Sequence, residues 1–295
     1  MEYNREGSWD ARAYDQVSYL VQYTWGRQVL EWRKWQGDEI VLDAGCGSGL
    51  LTKELAKKVP RGMVYAVDID SNMLGQAKTN LQPFDNVKIV QSSFTDVKLP
   101  RKVDVIFSNS ALHWVKDHRK AFREFWGMLK PTKVNKSGDS SIAANNYSRT
   151  SSSNGQLLIQ CGAYGNLQHI ITLLDKIAYS RQFRAYFTDW NKPWHFAKPE
   201  DTDRLLEEVG YVGRKVYSKD DSIVLPNRNI FSKFLKTVVV KSYLEHLSVN
   251  NDKDGDTLKA LFFDSFLDKI EKPGNKLGEQ WRLDFVRLNI VAHKP

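Results

Sequence analysis

Three groups of residues in this chain have types and spacings that can do chemistry. The first is Val41-Leu42-Asp43-Ala44-Gly45-Cys46-Gly47-Ser48-Gly49, an apolar run that ends in a glycine-rich turn. Glycines after a strand let the backbone pass close to a ligand, and a helix that follows presents its N–H groups to a negative group. The second is Asp68, which closes Tyr65-Ala66-Val67-Asp68 about 20 residues beyond the turn, where an acid can accept hydrogen bonds from ribose hydroxyls. Each such bond contributes roughly 1.5–3 kcal/mol. Asp70 competes for that role, and a helix cap or surface aspartate is the other reading of Asp68. The third group is aromatic and basic: Trp9, Tyr14, Tyr19, Gln22 and Trp25 near the start, His113-Trp114 in the middle, and Trp190 to Phe196 with Trp194 and His195 further on. Nine tryptophans are many for 295 residues, and an exposed aromatic cluster is commonly a binding surface. The competing reading of each is the core of a helical subdomain.

The glycine pattern narrows the ligand. The dinucleotide fingerprint places a further Gly or Ala three positions after its second glycine. Leu50 stands there, and the third glycine is Gly49. This departure favours S-adenosylmethionine over NAD. Met73 follows where an adenine face can rest, with packing against the sheet as its alternative. His113, with an ordinary pKa near ~6.5, can donate to an anion or act as a base. Arg181, Arg184 and Arg287 are candidate bidentate clamps for a carboxylate.

The elements that must position these residues alternate. Strands are predicted at Glu39–Ala44, Met63–Val67, Val87–Val90, Val103–Phe107 and Gln156–Cys161. Between them lie helices: one capped by Ser48 with Leu51, Leu55 and Val59 in a stripe, one capped by Ser71, and one capped by Asp117 with Ala121, Phe122, Phe125, Trp126 and Leu129 on one side. Such alternation implies a parallel sheet covered on both faces and, with right-handed crossovers, doubly wound. Residues 132–155 are rich in Ser, Asn and Gly and read as a flexible insertion joining a helix to a strand, at the edge away from the chemistry. Beyond Cys161, helices are predicted at Tyr164–Phe187, Lys198–Val209, Asn229–Leu247 and Thr257–Ile270, with strands at Val212–Leu225 and Leu283–His293. Residues 1–36 are expected to form a helical lid and residues 163–210 a helical cap on a single domain spanning 1–295.

Composition bounds the function. The chain is 41% hydrophobic and 26% charged, as globular proteins are. No apolar run approaches the ~18 residues of a membrane span, and the polar start lacks a signal core, so a cytoplasmic location is expected. Cys46 and Cys161 make no disulfide framework and, like the scattered histidines, no metal-ligand spacing, so no metal is expected. The net charge of +8 suits a solvated basic surface, the attraction of a small anion, or a nucleic acid. The basic residues form no long block, which disfavours nucleic acid. The oligomeric state is left open.

These residues resemble the class I S-adenosylmethionine-dependent methyltransferases over 9–130 and 156–295. Asn109-Ser110-Ala111-Leu112-His113-Trp114 and the closing Phe285-Val286-Arg287-Leu288-Asn289-Ile290-Val291-Ala292 are similar to trans-aconitate methyltransferases, and less closely to malonyl-carrier-protein methyltransferases. The resemblance implies a Rossmann-like, mostly parallel seven-stranded sheet with a reversed final strand. It implies that Asp43, Gly45 and Gly47 line the methionine end of the cofactor and that Asp68 holds the ribose. Ile69, Met73, Ser93 and Phe94 would surround the adenine, although relatives carry an acid where Ser93 stands. Asn109 would face the methionine portion. His113 and Trp114 are the expected catalytic residues, and Tyr14, Trp25, Arg181, Trp194 and His195 the expected substrate contacts. The implied reaction is O-methylation of a small carboxylate; the alternative is an RNA or protein methyltransferase built on the same cofactor domain.

Overall fold

Short β-rich runs between amphipathic helices leave the chain one economical arrangement, a sheet with helices on both faces. The computed structural model describes residues 10–12, 19–132, 155–249, 255–272 and 281–295. Strands β1 (Ile40–Ala44), β2 (Met63–Asp68), β3 (Val87–Gln91), β4 (Val105–Asn109), β5 (Gln156–Gly162), β6 (Val212–Leu225) and β7 (Trp281–His293) form one sheet in the order β3-β2-β1-β4-β5-β7-β6. β1 to β5 pair in parallel, while β7 runs antiparallel to both β5 and β6. The expected doubly wound sheet with its reversed final strand is the one observed.

Side-chain alternation assigns the faces. Val41, Val64, Val105, Phe107 and Leu158 pack with α1 (Thr24–Leu30) and α2 (Leu50–Lys58). Leu42, Tyr65, Ile106, Leu157 and Ile159 pack on the other face with Phe122 and Phe125 of α4 (His118–Met128) and Leu206 of α6 (Pro199–Val209). Every residue of β4 and β5 is buried, as strands covered on both faces must be.

The caps and boundaries differ from expectation in instructive ways. α2 has Gly49 at its N-cap, at φ 82, with no side-chain cap, so Ser48 does not hold that end. α3 (Ser71–Leu81) is capped by Asp70, which accepts from Met73 N, rather than by Ser71. Asp117 caps α4 as expected, accepting from Lys120 N. β4 begins and ends two residues later than expected. Val103 is taken by a bridge to Leu129, and Ser108 extends the strand by donating to Ala44 O at 2.7 Å.

The helix expected from Tyr164 starts only at α5 (Gln168–Ala178). Ala163 N donates to Val286 O, and Asn166 Oδ1 accepts from Val286 N, which ties the turn at Tyr164–Leu167 to β7 ahead of the helix. The span expected as one helix over Asn229–Leu247 is α7 (Arg228–Phe234), a π-helical turn at Leu235–Val239, and α8 (Lys241–Val249).

A third apolar cluster forms the cap. It joins Val21 and Trp25 to α5, α7, α8 and α9 (Gly255–Ile270), with Phe285 of β7 beneath. Of the span 163–210 expected as a cap, α5, Phe183 and Phe187 join this cluster while α6 packs on the sheet beside α4, and α7 to α9 complete the cluster. At the opposite edge of the sheet, the buried Arg33 pairs with Glu39 at 3.0 Å and donates to Gln156 Oε1 at 2.9 Å. The ends of the 132–155 stretch meet there: Thr132 N donates to Lys294 O and Lys294 N to Gly155 O. Residues 133–154 lie outside the described residues. Among the described residues no helix is long and apolar enough to cross a membrane.

Candidate active site

β1 and β4 are neighbours, yet the chain leaves them toward opposite flanks of the sheet. A crevice opens at their carboxyl ends, where ligands of open α/β sheets bind. The glycine turn forms one rim. Gly45 stands at φ 81, and a Cβ there would sit 2.2 Å from Ala111 Cβ. Only glycine permits this approach of the turn to the β4 end. Gly45 N and Cys46 N both donate to Val67 O, at 2.9 and 3.0 Å, which pins the turn to β2.

Asp68 completes this rim. Its carboxylate accepts from Gly47 N at 2.8 Å and from Asp70 N at 3.0 Å. Desolvation raises the carboxyl above its ordinary value, against those N–H bonds, and the nearby Asp70 adds to the rise. The two acids that compete in the sequence have separate tasks. Both line a cavity together with Gly45, Gly47, Ile69, Met73, Ser93, Phe94 and Asn109, but the Asp70 carboxylate caps α3 while that of Asp68 holds the glycine turn. The Ser93 hydroxyl is engaged with Thr95 Oγ1 at 2.7 Å. Asp43 stands apart from the cavity lining. It is buried under the turn, accepts from Thr52 Oγ1 at 2.6 Å, and supports the loop from below.

The same cavity continues to His113, Trp114, Trp25 and Trp194. Ser110, between Asn109 and Ala111, holds a left-handed backbone at φ 58, uncommon for a residue with a side chain. Its N–H donates to Gln160 O at 2.8 Å. Asn109 Nδ2 donates to the backbone oxygen of Gln22 at 3.0 Å, so the N-terminal segment is tied to the end of β4. His113 accepts from Gly162 N on Nδ1 at 3.3 Å and lies between Trp114 and Phe196, with ring centres 5.4 and 5.6 Å away.

Other expected contacts lie elsewhere. His195 is absent from the cavity lining; it packs edge-on against the buried His118, 4.7 Å between ring centres, behind His113. Arg181 is exposed, because α5 ends at Ala178 and the chain turns outward before Phe183 re-enters the cap core. Arg184 is exposed as well. Of the three candidate arginine clamps, Arg287 is the one that lines the cavity. Tyr14, like Trp9, lies outside the described residues. The structure adds Gln160, Asn166 and Phe285 to the lining, together with Val238 and Val239 from the π-helical turn. Gln160 carries a signal in the sequence: one amide in the otherwise apolar Leu157-Leu158-Ile159-Gln160-Cys161. The π-turn carries none.

The lining suits the expected methyl donor. Gln22 Oε1, Asn109 Oδ1 and Gln160 Oε1 are buried amide oxygens without a hydrogen-bond partner among the described residues, and all three residues line this cavity. Oxygens left unpaired in a dry site favour a group that brings N–H donors and positive charge. The methionine end of S-adenosylmethionine brings both.

Comparison with known proteins agrees with this geometry. Residues 42–134 match the methyltransferase domain family. An uncharacterised methyltransferase of Schizosaccharomyces pombe is 25% identical over 98% of this chain and 99% of its own length. A trans-aconitate 2-methyltransferase of Deinococcus radiodurans is 26% identical over 86% of each chain. Among solved structures, a Haemonchus contortus phosphoethanolamine N-methyltransferase 2 with bound S-adenosylhomocysteine superposes with a TM-score of 0.56 at 14% identity, covering 97% of this chain and 57% of that one. The chain carries a methyltransferase domain at residues 42–134 and is an S-adenosylmethionine-dependent methyltransferase.

Proposed function

We propose that the enzyme transfers the methyl group to a carboxylate oxygen of a small, carboxylate-bearing acceptor. The observation that carries this reading is Arg287, a buried guanidinium in the lining of the cavity that also holds the glycine turn. Burying a cation is costly unless it is paired. Asp221 supplies one partner at 2.5 Å, and Nε has none among the described residues. Desolvation lowers the pKa of this guanidinium, opposed by Asp221, and an acceptor anion would offset the same cost. The 26% identity to a trans-aconitate 2-methyltransferase supports the same substrate class.

Bound S-adenosylmethionine supplies an activated methyl on a sulfonium. The protein then has to align the acceptor at about 3 Å and exclude water. Asp68 would hold the ribose, and Ile69, Met73, Ser93 and Phe94 would surround the adenine. The turn at Gly45 and Gly47, with Asn109, would receive the methionine end. Trp25 and Trp194 would close over the acceptor beside His113 and Trp114.

A labelled-methyl screen of mono-, di- and tricarboxylic acids, with the product identified by mass spectrometry, tests the reading. A base-labile methyl ester is the expected product. Methyl transfer to RNA or protein, with none to any acid, would overturn it.

A further inference from the structure

We infer that His113 is locked as a neutral N–H donor toward the acceptor, so the site accepts only nucleophiles that arrive already ionised. The inference rests on the carboxylate reading for the identity of the acceptor, and on geometry alone for the state of the ring. A neutral imidazole has one lone pair. In His113 that lone pair is at Nδ1, where it accepts from Gly162 N at 3.3 Å. The ring proton therefore sits on Nε2, the nitrogen left for the cavity that His113 lines. To act as a base, the ring would have to break the Gly162 bond or take a second proton beside a neighbour of like kind.

The surroundings hold this arrangement. Gly162 is pressed by Phe196 and Asn166, so that a Cβ there would fall 2.6 Å from Phe196 Cε1. His113 O accepts from His195 N at 2.7 Å, fixing the peptide on which the ring is hung. The titratable groups around the ring are His118 of α4, which acts on it directly, His195 packed on His118, and Lys116, three residues on, which acts on His195. His118 Nε2 is spent on Leu112 O, and no carboxylate contributes to the His113 environment among the described residues. Removal from water pushes the ring down to about 3, and His118 adds to this.

The chemistry then follows by proton count. Transfer to a carboxylate forms one O–C bond while the methyl–sulfur bond breaks, its electron pair remains on sulfur, and no proton moves. A protonated amine or an alcohol must also lose a proton, and the ring has no place to receive it. The Nε2–H can bond the carboxylate oxygen that is not attacking, which turns the other oxygen toward the methyl.

Histidine-selective ¹⁵N spectra of the full-length protein, with His113→Gln to assign the signal, read the ring directly. The expected result is a neutral, Nε2-protonated ring that does not titrate between about pH 5 and 8. A Nδ1-protonated ring, or a midpoint inside that window, would overturn the inference whatever the acceptor proves to be. With an acid found by the methyl screen, His113→Gln keeps a donor and should lose about tenfold in kcat/KM, whereas His113→Leu should lose about a hundredfold, and neither should alter the pH profile. Equal losses, or an acid limb that vanishes in His113→Gln, would also overturn it. Failure of the screen alone would count against carboxylate methylation and leave the spectra to decide the ring.

Discussion

The guanidinium of Arg287 lies 4.7 Å from the ring centre of Trp25, and it pairs with Asp221 at 2.5 Å. One side chain of the reversed strand thus joins the N-terminal segment to the edge strand. The reversal of β7 is what allows this, because it brings the start of that strand to the carboxyl edge, with Arg287 opposite Gly162 at the end of β5. A cation over an aromatic face contributes about 0.5–2 kcal/mol depending on desolvation.

The first prediction concerns this pair. Arg287→Met keeps the apolar stem and removes the charge. KM for a carboxylate acceptor should rise about 10- to 100-fold, the loss of one charged hydrogen bond, with kcat changed much less. Cofactor affinity measured by calorimetry should stay close to that of the unmodified protein, as the acceptor role proposed for Arg287 requires. A fall in cofactor affinity as large as the rise in KM would show that Arg287 holds the fold rather than the acceptor.

Asp68 is predicted to govern cofactor binding. It aligns the turn through Gly47 N and Asp70 N and would still have to meet the ribose. Asp68→Ala removes all of these acceptors and should weaken S-adenosylmethionine by at least about tenfold in calorimetry. Unchanged affinity would end its proposed ribose role. Asp70→Ala makes a useful contrast, because Asp70 caps α3 by accepting from Met73 N. It should cost about 0.5–2 kcal/mol of stability, read as a lower Tm, with a smaller effect on affinity.

How far these residues are legible in the sequence depends on how locally they are specified. β1 into the glycine turn, and Asp68 at the end of β2, are set by their neighbours in the chain, and there the expected and observed positions agree. Asp70 and Ser71 cannot be told apart as caps from sequence, since the choice turns on one backbone conformation. The rest of the cavity wall is assembled from Gln22, His113, Gln160 and Arg287, which meet only through the sheet order. Arg181 and Arg287 look equivalent as clamps in the sequence because their difference is topological: one follows a helix end into solvent, the other sits on the reversed strand. The π-turn at Leu235–Val239 has no signature in a helical apolar pattern, yet it delivers Val238 and Val239 to the cavity.

Asp43 predicts a pH dependence. Burial pushes its carboxyl up to about 7, against the Thr52 hydrogen bond and with the charge of Asp68 adding to the rise. Between about pH 4 and 7 the unfolded chain has released this proton while the folded chain retains it, so the folded state binds more protons and stability falls as pH rises. The contribution is fully present below the unfolded value and lost as pH passes the folded one. The Tm of the ligand-free protein should therefore decline across this window more steeply than that of Asp43→Asn, which keeps an acceptor for Thr52 without the charge. Parallel Tm curves for the two proteins would contradict the assignment.

The last prediction separates a glycine that the site needs from one it does not. Gly45 occupies a left-handed backbone, and an added Cβ would collide with Ala111 at 2.2 Å. Relief would require the turn to move away from the end of β4, which closes or shifts the crevice between β1 and β4. Gly45→Ala should therefore lower Tm and abolish measurable cofactor binding together. Gly75 lies on the exposed side of α3, and a Cβ added there would meet nothing within 4 Å. At that position the substitution to Ala only removes backbone freedom from the unfolded chain in a helical position. It should stabilise by about 0.5–1 kcal/mol and leave cofactor affinity unchanged. Calorimetry and thermal melts of the two variants side by side check this. Retained binding in Gly45→Ala would mean that the turn tolerates a side chain, and the close approach of Gly45 to Ala111 would then not define the site.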